Sequence, residues 1–313
     1  MLKTHPYGSS GEQVTIIGLG GACLSQRSYS DGVETARRAL ELGVNYFDTS
    51  PAYGTQEILG EALGDRTEPH LLATKLWPTP PDSRSPAALR AQLEENLRLL
   101  GRDSVDVLQV HRADFESWWK DGAPNEALNV EEDYDFANAP IMQVLHEAKA
   151  EGKCRFISIT GDWEEEFAYA FAHLDVDAVL FAFNYDLIHR GARKRVLPLA
   201  QEKGVALILG QVFQRRRLNE VHPEWLTSPP DWMTPDLQER FERLYALQRD
   251  CGLSLVELSI RYLSADAAIS TVLIGCSTVG EIEECVSAAE AGPLPTDLHS
   301  AVEELGLPQE GKS

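Results

Sequence analysis

Short apolar runs alternate along the chain with longer segments in which apolar residues recur every three or four positions. The short runs have the length of buried strands, and the longer segments have the period of amphipathic helices. Eight runs are predicted as strands, at residues 14–19, 45–47, 71–74, 105–110, 154–159, 178–183, 205–209 and 271–274. The predicted helices lie at residues 32–42, 56–63, 85–100, 140–151, 164–173, 190–203, 253–265 and 281–289.

The helix boundaries carry their own signals. Pro86 and Pro140 stand at the first turns of two predicted helices, and glycines stand where several should end, at positions 43, 64, 101, 152 and 204. Eight buried strands alternating with helices favour an α/β fold, a closed parallel (β/α)8 TIM barrel. An open doubly wound sheet is the alternative. Because no linker divides the chain, residues 1–313 are predicted to form a single domain.

Two predicted loops are longer than a plain barrel needs, and both follow strands, at its C-terminal mouth. Residues 112–139, after the fourth strand, carry eight acidic residues, and residues 212–235, after the seventh, carry Arg215, Arg216 and Arg217. All six tryptophans fall in loops that follow strands, at positions 77, 118, 119, 163, 225 and 232. They could pack inside the loops or stack on a flat or sugar-like ligand. Trp77, Trp118 and Trp119 are the candidates for substrate contact.

Charge limits the possible partners of the chain. Its 313 residues include 28 Lys and Arg against 49 Asp and Glu, a formal net charge of −21. This charge opposes binding to nucleic acid or an anionic membrane surface. With no apolar run of transmembrane length, no signal-peptide core in residues 1–11, and five widely spaced cysteines, we expect a cytoplasmic protein with reduced thiols.

Four polar residues fall at or just beyond the ends of neighbouring predicted strands: Asp48, Tyr53, Lys75 and His111. In a barrel these positions converge near the axis. Each residue alone has an ordinary structural explanation, but together they form an acid/base set. They make a poor metal site, because Lys and Tyr replace the carboxylates and imidazoles that a divalent ion prefers.

The set suits proton transfer to a carbonyl oxygen. A nearby Lys75 ammonium would favour the Tyr53 phenolate and make the phenol a better acid. Asp48 would hold Lys75, and His111 could donate a hydrogen bond to the substrate oxygen. Hydride transfer from a nicotinamide fits, because a carbonyl that receives hydride needs one proton at its oxygen.

The surrounding segments resemble the aldo-keto reductase superfamily over nearly the whole chain. The matching segments are residues 18–21, 43–54, 73–75, 93–101, 105–111 and 152–157. The resemblance implies a barrel that uses NAD(H) or NADP(H) to interconvert carbonyls and alcohols. It assigns Tyr53 as the general acid/base, Lys75 and Asp48 as its tuning pair, and His111 as the substrate-orienting residue.

The chain departs from the pattern of many members where they hold the nicotinamide amide. Thr160 and Gly161 replace a Ser-Asn pair, Leu180 replaces a Gln, and Gly210 followed by Gln211 replaces a stacking aromatic. The resemblance therefore implies a rebuilt grip from Thr160, Asn184 and Gln211, with Gly20, Gly21 and Gly161 nearby. The Ile-Thr-Gly pattern is similar to the L-galactose dehydrogenase-like branch of aldose 1-dehydrogenases, which suggests a small-molecule carbonyl or sugar substrate.

The segment after the eighth strand bears on cofactor choice. Gly275, Ser277 and Thr278 lead into a predicted helix whose start can receive phosphate. Members that bind a 2′-phosphate usually offer basic residues here, whereas this chain has Glu281. A carboxylate would repel that phosphate and could accept from a ribose hydroxyl, so NAD(H) is preferred and NADP(H) is the alternative. The arginines at 215–217 are the counter-evidence, because they could bind phosphate.

A second function class is a nicotinamide-binding regulatory or partner module with little turnover. The altered amide grip and the acidic loop 112–139 favour it. The intact set of four polar residues opposes it.

Overall fold

Eight parallel strands close into a barrel in the computed structural model, which describes residues 2–77, 84–120 and 126–306. They are β3 (Ile17–Gly20), β4 (Tyr46–Asp48), β5 (Leu71–Leu76), β6 (Val105–His111), β7 (Cys154–Gly161), β8 (Ala178–Ala182), β9 (Ala206–Gly210) and β10 (Thr271–Ile274). Strand β10 pairs with both β3 and β9. The predicted barrel is therefore confirmed, and the open sheet is excluded.

Helices surround the barrel. They are α1 (Tyr29–Glu41), α2 (Gln56–Leu63), α3 (Pro86–Leu100), α4 (Pro140–Ala150), α5 (Glu164–His173), α6 (Val196–Lys203), α7 (Pro235–Cys251), α8 (Leu255–Leu263), α9 (Val279–Glu290) and α10 (Thr296–Gly306). Side-chain caps begin several of them: Ser28 forms a capping box on α1, and Ser85 accepts from the N–H of Ala88 on α3. No helix in the described part of the chain has the length and apolar character needed to cross a membrane.

An N-terminal hairpin and two helices were not predicted from the sequence. The run 14–19 divides at Ile16, so that β2 (Gln13–Thr15) pairs antiparallel with β1 (Thr4–Pro6) while β3 enters the barrel. Helix α7 follows the 212–235 loop, and α10 lies at the end of the described chain. Helix α7 was missed because few of its side chains are buried, namely Phe241, Leu244 and Tyr245. Helices α7 and α10 pack against each other.

The interior of the barrel is apolar at the bottom and polar at the C-terminal mouth. Its lower part is a separate apolar cluster in which Tyr7 and Val14, from the β1–β2 hairpin, pack against Tyr46, Leu71 and Val107. Because side chains alternate along a strand, the next inward positions belong to polar residues. Lys75 follows Leu71 and Ala73 on β5, and Gln109 and His111 follow Val107 on β6. The hairpin therefore closes the bottom, and the polar groups gather at the C-terminal mouth.

The hairpin depends on two glycines with positive φ. Gly8 has φ +56°, and an added Cβ would lie 2.6 Å from Ala206 N and 2.7 Å from Gly204 O. Gly11 has φ +85° but faces open space. Comparing substitutions at Gly8 and Gly11 therefore separates the cost of the backbone conformation from the cost of a steric clash.

We expect Gly8→Ala to lower the free energy of unfolding by about 3 kcal/mol, because the methyl group meets backbone at the barrel bottom in addition to the unfavourable φ. The matched variant Gly11→Ala, which has only the φ cost, should lose about 1 kcal/mol. Denaturant unfolding of both variants measures the difference. Equal losses would show that the hairpin does not seat against β9 through Gly8.

Candidate active site

The structure brings Asp48, Tyr53, Lys75 and His111 into one cavity of about 640 Å³ at the mouth of the barrel. Asp48 ends β4, Lys75 lies on β5, and His111 ends β6. Tyr53 lies in a short 3-10 turn, Pro51–Tyr53, directly after β4. Adjacent parallel strands and one tight turn are therefore enough to place all four side chains together.

A buried ion pair lies at the base of this cavity. The Lys75 ammonium donates to the Asp48 carboxylate and, at 2.8 Å, to the carbonyl oxygen of Thr49. The second carboxylate oxygen of Asp48 accepts from Gln109 Nε2 at 2.6 Å, and Ser158 Oγ donates to Gln109 Oε1 at 3.3 Å. The Lys75 side chain is 1% exposed. These hydrogen-bond partners offset the cost of removing the two charged groups from water.

The electrostatics of Tyr53 differ from the sequence expectation. Lys75 Nζ lies 5.2 Å from the centre of the Tyr53 ring, yet burial raises the pKa of the phenol, and the Asp48 carboxylate raises it further. The expected lowering by Lys75 is absent because the carboxylate bound to the ammonium opposes its field. Burial likewise lowers the pKa of Lys75, against the pull of Asp48. At neutral pH the Tyr53 phenol is protonated, the form that can give a proton to a carbonyl oxygen.

His111 is a neutral ring between two aromatic neighbours. Its centroid lies 4.4 Å from the Trp77 ring and 5.8 Å from the Tyr53 ring. Burial lowers its pKa well below the usual value, and the charges of Lys75 and Arg112 lower it further. Ser50 Oγ lies 3.1 Å from His111 Nδ1. His111 therefore acts at neutral pH through one ring N–H and one lone pair.

The same cavity contains most of the residues predicted for the cofactor. Those that line it are Gly20, Thr160, Gly161, Gln211, Gly275, Ser277 and Glu281. Thr160 is 3% exposed, and its Oγ1 has no hydrogen-bond partner among the described residues. Leu180 and Phe183 add an apolar wall. A free buried hydroxyl beside an apolar wall fits a nicotinamide, which carries a polar amide on a flat ring.

Three residues predicted for the cofactor do not line this cavity. Asn184 Nδ2 donates to the carbonyl oxygens of Asp162, at 2.5 Å, and Ala182, at 2.8 Å. Gly21 packs behind Asp48, where a Cβ would lie 2.8 Å from the Asp48 carbonyl oxygen. Thr278 caps α9 by accepting from the N–H of Glu281. These residues support the wall of the site from behind.

Glu281 is tied to its own loop and to the loop opposite. Its carboxylate accepts from Ser277 N at 2.6 Å and Ser277 Oγ at 3.0 Å. Its other oxygen lies 3.7 Å from the Arg216 guanidinium. The start of α9 and the loop after β9 are thus linked across the cavity rim by an ion pair.

The three consecutive arginines after β9 have different surroundings, and the backbone of this turn is left-handed. Gln214, Arg215 and Arg216 have positive φ values of 51°, 55° and 74°. Arg215 and Arg216 line the cavity, whereas the Arg217 guanidinium lies 3.7 Å from the centre of the Trp232 ring. Left-handed conformations are costly for residues other than glycine and are concentrated at functional sites. Gln214 anchors the turn by donating to Asp186.

The three tryptophans predicted for substrate contact have different surroundings in the structure. Trp77 packs against the His111 ring, as described above, but is not among the residues that line the cavity, and its backbone is held by Gln92. Trp118 and Trp119 are 3% and 7% exposed and pack inside the 112–139 loop, where Trp119 Nε1 donates to the Ala113 carbonyl. The structure therefore places these two side chains in the hydrophobic core and not among the residues that line the cavity, and the Trp119 ring packs against Phe136.

Sequence reasoning missed Ser50 and Gln109, which contact His111 and Asp48, and Arg112, which lines the same cavity. Gln109 could have been found from the period of two, because it precedes His111 by two positions on β6 and shares its inward face. Arg112 lines the cavity between the rings of Phe115 and Trp163, each 4.3 Å from its guanidinium. No sequence signal marks that sandwich.

Comparison with known proteins gives consistent matches along the whole chain. The model of the Aldo/keto reductase family matches residues 16–306. The chain is 30% identical to an L-galactose dehydrogenase of Arabidopsis thaliana over 99% of the chain and 92% of that protein. It is 25% identical to a D-threo-aldose 1-dehydrogenase of a Pseudomonas species, over 98% and 99% of the two chains. An aldo-keto reductase of Bacillus halodurans, solved in its holo form, superposes with a TM-score of 0.77 at 22% identity, over 98% and 97% of the two chains.

The lowered pKa of His111 predicts a loss of stability in acid. A histidine whose pKa is depressed by folding stabilises the protein fully above its unfolded value, about 6.5, and that contribution is lost as the pH falls below it. The wild-type free energy of unfolding should therefore fall, relative to His111→Gln, by up to about 1.4 kcal/mol per pH unit below pH ~6.5. Denaturant titrations between pH 4 and 8 measure both curves. Parallel curves throughout would contradict a neutral buried His111.

Proposed function

Because this chain belongs to the aldo/keto reductase family, we propose that its cavity is a nicotinamide-dependent active site for an aldose, with Tyr53 as the proton donor and acceptor. The chain is an NAD(P)-dependent oxidoreductase that interconverts a carbonyl and an alcohol by hydride transfer, with a tyrosine as general acid/base. The family assignment makes it an enzyme, so the binding-module alternative is not retained. The convergence of the four polar side chains in one cavity supports this most directly.

Each of the four residues has a distinct proposed role. The protonated Tyr53 phenol gives its proton to the carbonyl oxygen in reduction and recovers it from the alcohol in oxidation. Lys75, held by Asp48, is proposed to place its ammonium beside the phenolate that remains after proton transfer, against burial and the Asp48 carboxylate, which both disfavour that phenolate. His111 holds the substrate oxygen by a hydrogen bond, so that the oxygen faces the Tyr53 hydroxyl.

A bound nicotinamide supplies or accepts the hydride. Thr160 and Gln211 are proposed to hold its amide, since the Thr160 hydroxyl is buried without another partner. Gly275 and Ser277, before α9, are proposed to lie along the rest of the dinucleotide. Of the residues predicted to hold the nicotinamide amide, the proposal keeps Thr160 and Gln211. Asn184 is left out because its own side-chain amide already donates to two backbone carbonyls.

The substrate class is proposed from two observations. The similar proteins from Arabidopsis thaliana and Pseudomonas are named for the oxidation of sugars. Arg112, paired with Asp114 and Asp162, lines the cavity next to His111, and Trp77 packs against the His111 ring. A guanidinium and an aromatic ring therefore adjoin the proposed position of a polyhydroxylated substrate.

All five cysteines are free in the structure, which agrees with the proposed cytoplasmic location.

The cofactor is proposed to be NAD(H) rather than NADP(H). Arg216, one of the arginines facing the cavity, is already paired with Glu281. A 2′-phosphate near α9 would meet the Glu281 carboxylate and compete with it for Arg216. A ribose hydroxyl would meet no such repulsion.

Tyr53→Phe should bind NADH with unchanged Kd and lose turnover by roughly 10²- to 10⁴-fold, because only the transferable proton is removed. The assay is NADH formation from NAD⁺ with a panel of aldoses, run beside simple aliphatic alcohols as controls. We expect at least one aldose to be oxidised with a higher kcat/KM than any simple alcohol. Full activity of the variant would refute the role of Tyr53, and a preference for simple alcohols would refute the substrate class.

Wild-type protein should bind NADH more tightly than NADPH. Glu281→Gln should tighten NADPH binding about 10-fold relative to NADH, since it removes a negative charge and releases Arg216. Glu284→Gln is the matched control, because Glu284 lines the same cavity on α9 and its described contact is with Ser254. Fluorescence titration gives all the Kd values. A tighter wild-type Kd for NADPH, or equal effects of both variants, would overturn the preference.

A further inference from the structure

A fully buried hydroxyl lies directly behind His111. Ser50 is 0% exposed, and its Oγ lies 3.1 Å from His111 Nδ1. The same oxygen accepts from the backbone N–H of Ala52 at 3.3 Å, where Ser50 caps the turn that carries Tyr53. Ser50 therefore contacts both the turn of the acid/base tyrosine and the ring of the orienting histidine.

The direction of the Ser50–His111 hydrogen bond follows from counting donors and acceptors. A serine hydroxyl has one proton to donate and two lone pairs. The Ala52 N–H uses a lone pair of Ser50 Oγ, so the Ser50 proton still needs an acceptor. Among the hydrogen bonds of the described residues, His111 Nδ1 is the group available to accept it. If Nδ1 carried the ring proton instead, the buried Ser50 proton would have no acceptor.

We propose that Ser50 is a positioning residue that keeps the His111 proton on Nε2, so that the ring presents an N–H donor to the substrate oxygen. This inference rests on the proposed function, in which His111 holds that oxygen. The neutral ring has a single proton, so its location decides whether the ring donates or accepts on the substrate side.

An Nε2–H donor suits both directions of the reaction. A carbonyl oxygen and an alcohol oxygen each have lone pairs that can accept it. The opposite tautomer would place a lone pair of His111 against the lone pairs of a carbonyl oxygen. The substrate would then have to bind through its alcohol form alone.

The first test needs no substrate. In histidine-labelled protein, with and without saturating NADH, ¹⁵N NMR distinguishes a protonated from an unprotonated ring nitrogen, and the His111→Gln spectrum assigns the signals. We expect Nε2 protonated and Nδ1 unprotonated in the wild type. A protonated Nδ1 would overturn the proposal, whatever the protein turns over.

The second test is kinetic. Ser50→Ala should mix the two tautomers in the NMR spectrum and lower kcat roughly 10- to 100-fold, by analogy with the loss seen when the hydrogen-bond partner that orients a metal-bound histidine is removed. The Kd for NADH should stay within about twofold of wild type, because Ser50 does not line the cavity. Ser50→Thr, which keeps the hydroxyl, should restore the Nε2–H signal and most of kcat.

Thr55→Val is the matched control for loss of a buried hydroxyl. Thr55 Oγ1 lies 2.9 Å from Thr49 Oγ1 in the same segment and makes no described contact with His111. It should leave both the tautomer and kcat unchanged. Wild-type kcat in Ser50→Ala, or the same loss in Thr55→Val, would refute the positioning role.

The two proposals fail separately. If Tyr53→Phe loses turnover while Ser50→Ala does not, only the role of Ser50 is refuted. If no aldose is oxidised, the substrate proposal is refuted, and the NMR spectrum still decides the tautomer. Should Ser50→Ala fail to fold, the wild-type spectrum alone decides.

Discussion

The buried ion pair between Lys75 and Asp48 is the constraint on which the site depends. A charge inside a barrel is stable only when its partners are already in place, because the cost of removing it from water exceeds an imperfect Coulomb attraction. Gln109 and the carbonyl of Thr49 complete the set of hydrogen bonds around this pair. The inward positions above the apolar lower layer are therefore committed to polar residues on β4, β5 and β6. These polar groups form the base of the cavity at the C-terminal mouth of the barrel.

One short segment after β4 organises most of the chemistry. Asp48 and the Thr49 carbonyl hold the ammonium, Ser50 contacts His111, and Tyr53 ends the turn that Ser50 caps. Six consecutive residues thus contact or supply every member of the set. Small movements of this turn would change the phenol and the imidazole together, and hydrogen bonds from the Ala52 and Tyr53 N–H groups to Ser50 hold the turn in place.

The far end of the cavity is built differently, from loops. Gln214, Arg215 and Arg216 adopt left-handed conformations, and Glu281 is shared between its own loop and Arg216. Rigid strands hold the reacting groups, while a strained turn and one partly exposed ion pair form the rim. This division is common in barrel enzymes, where loops determine what binds and strand ends carry the chemistry.

The alternation of apolar runs was sufficient to predict the barrel, because strand and helix periods are local properties of the chain. The positions of the four polar residues at strand ends were readable for the same reason, as was the family resemblance that they carry. The sequence did not reveal which tryptophans pack inward, that Asn184 faces backbone carbonyls, or that Ser50 and Gln109 contact the central residues. Those outcomes depend on contacts between segments far apart in the chain, such as Gln109 with Asp48 and Arg216 with Glu281. Local pattern determined the elements and the residue types at their ends, and only tertiary packing decided which of those residues meet, because hydrogen-bond partners and burial are set by neighbours across the barrel.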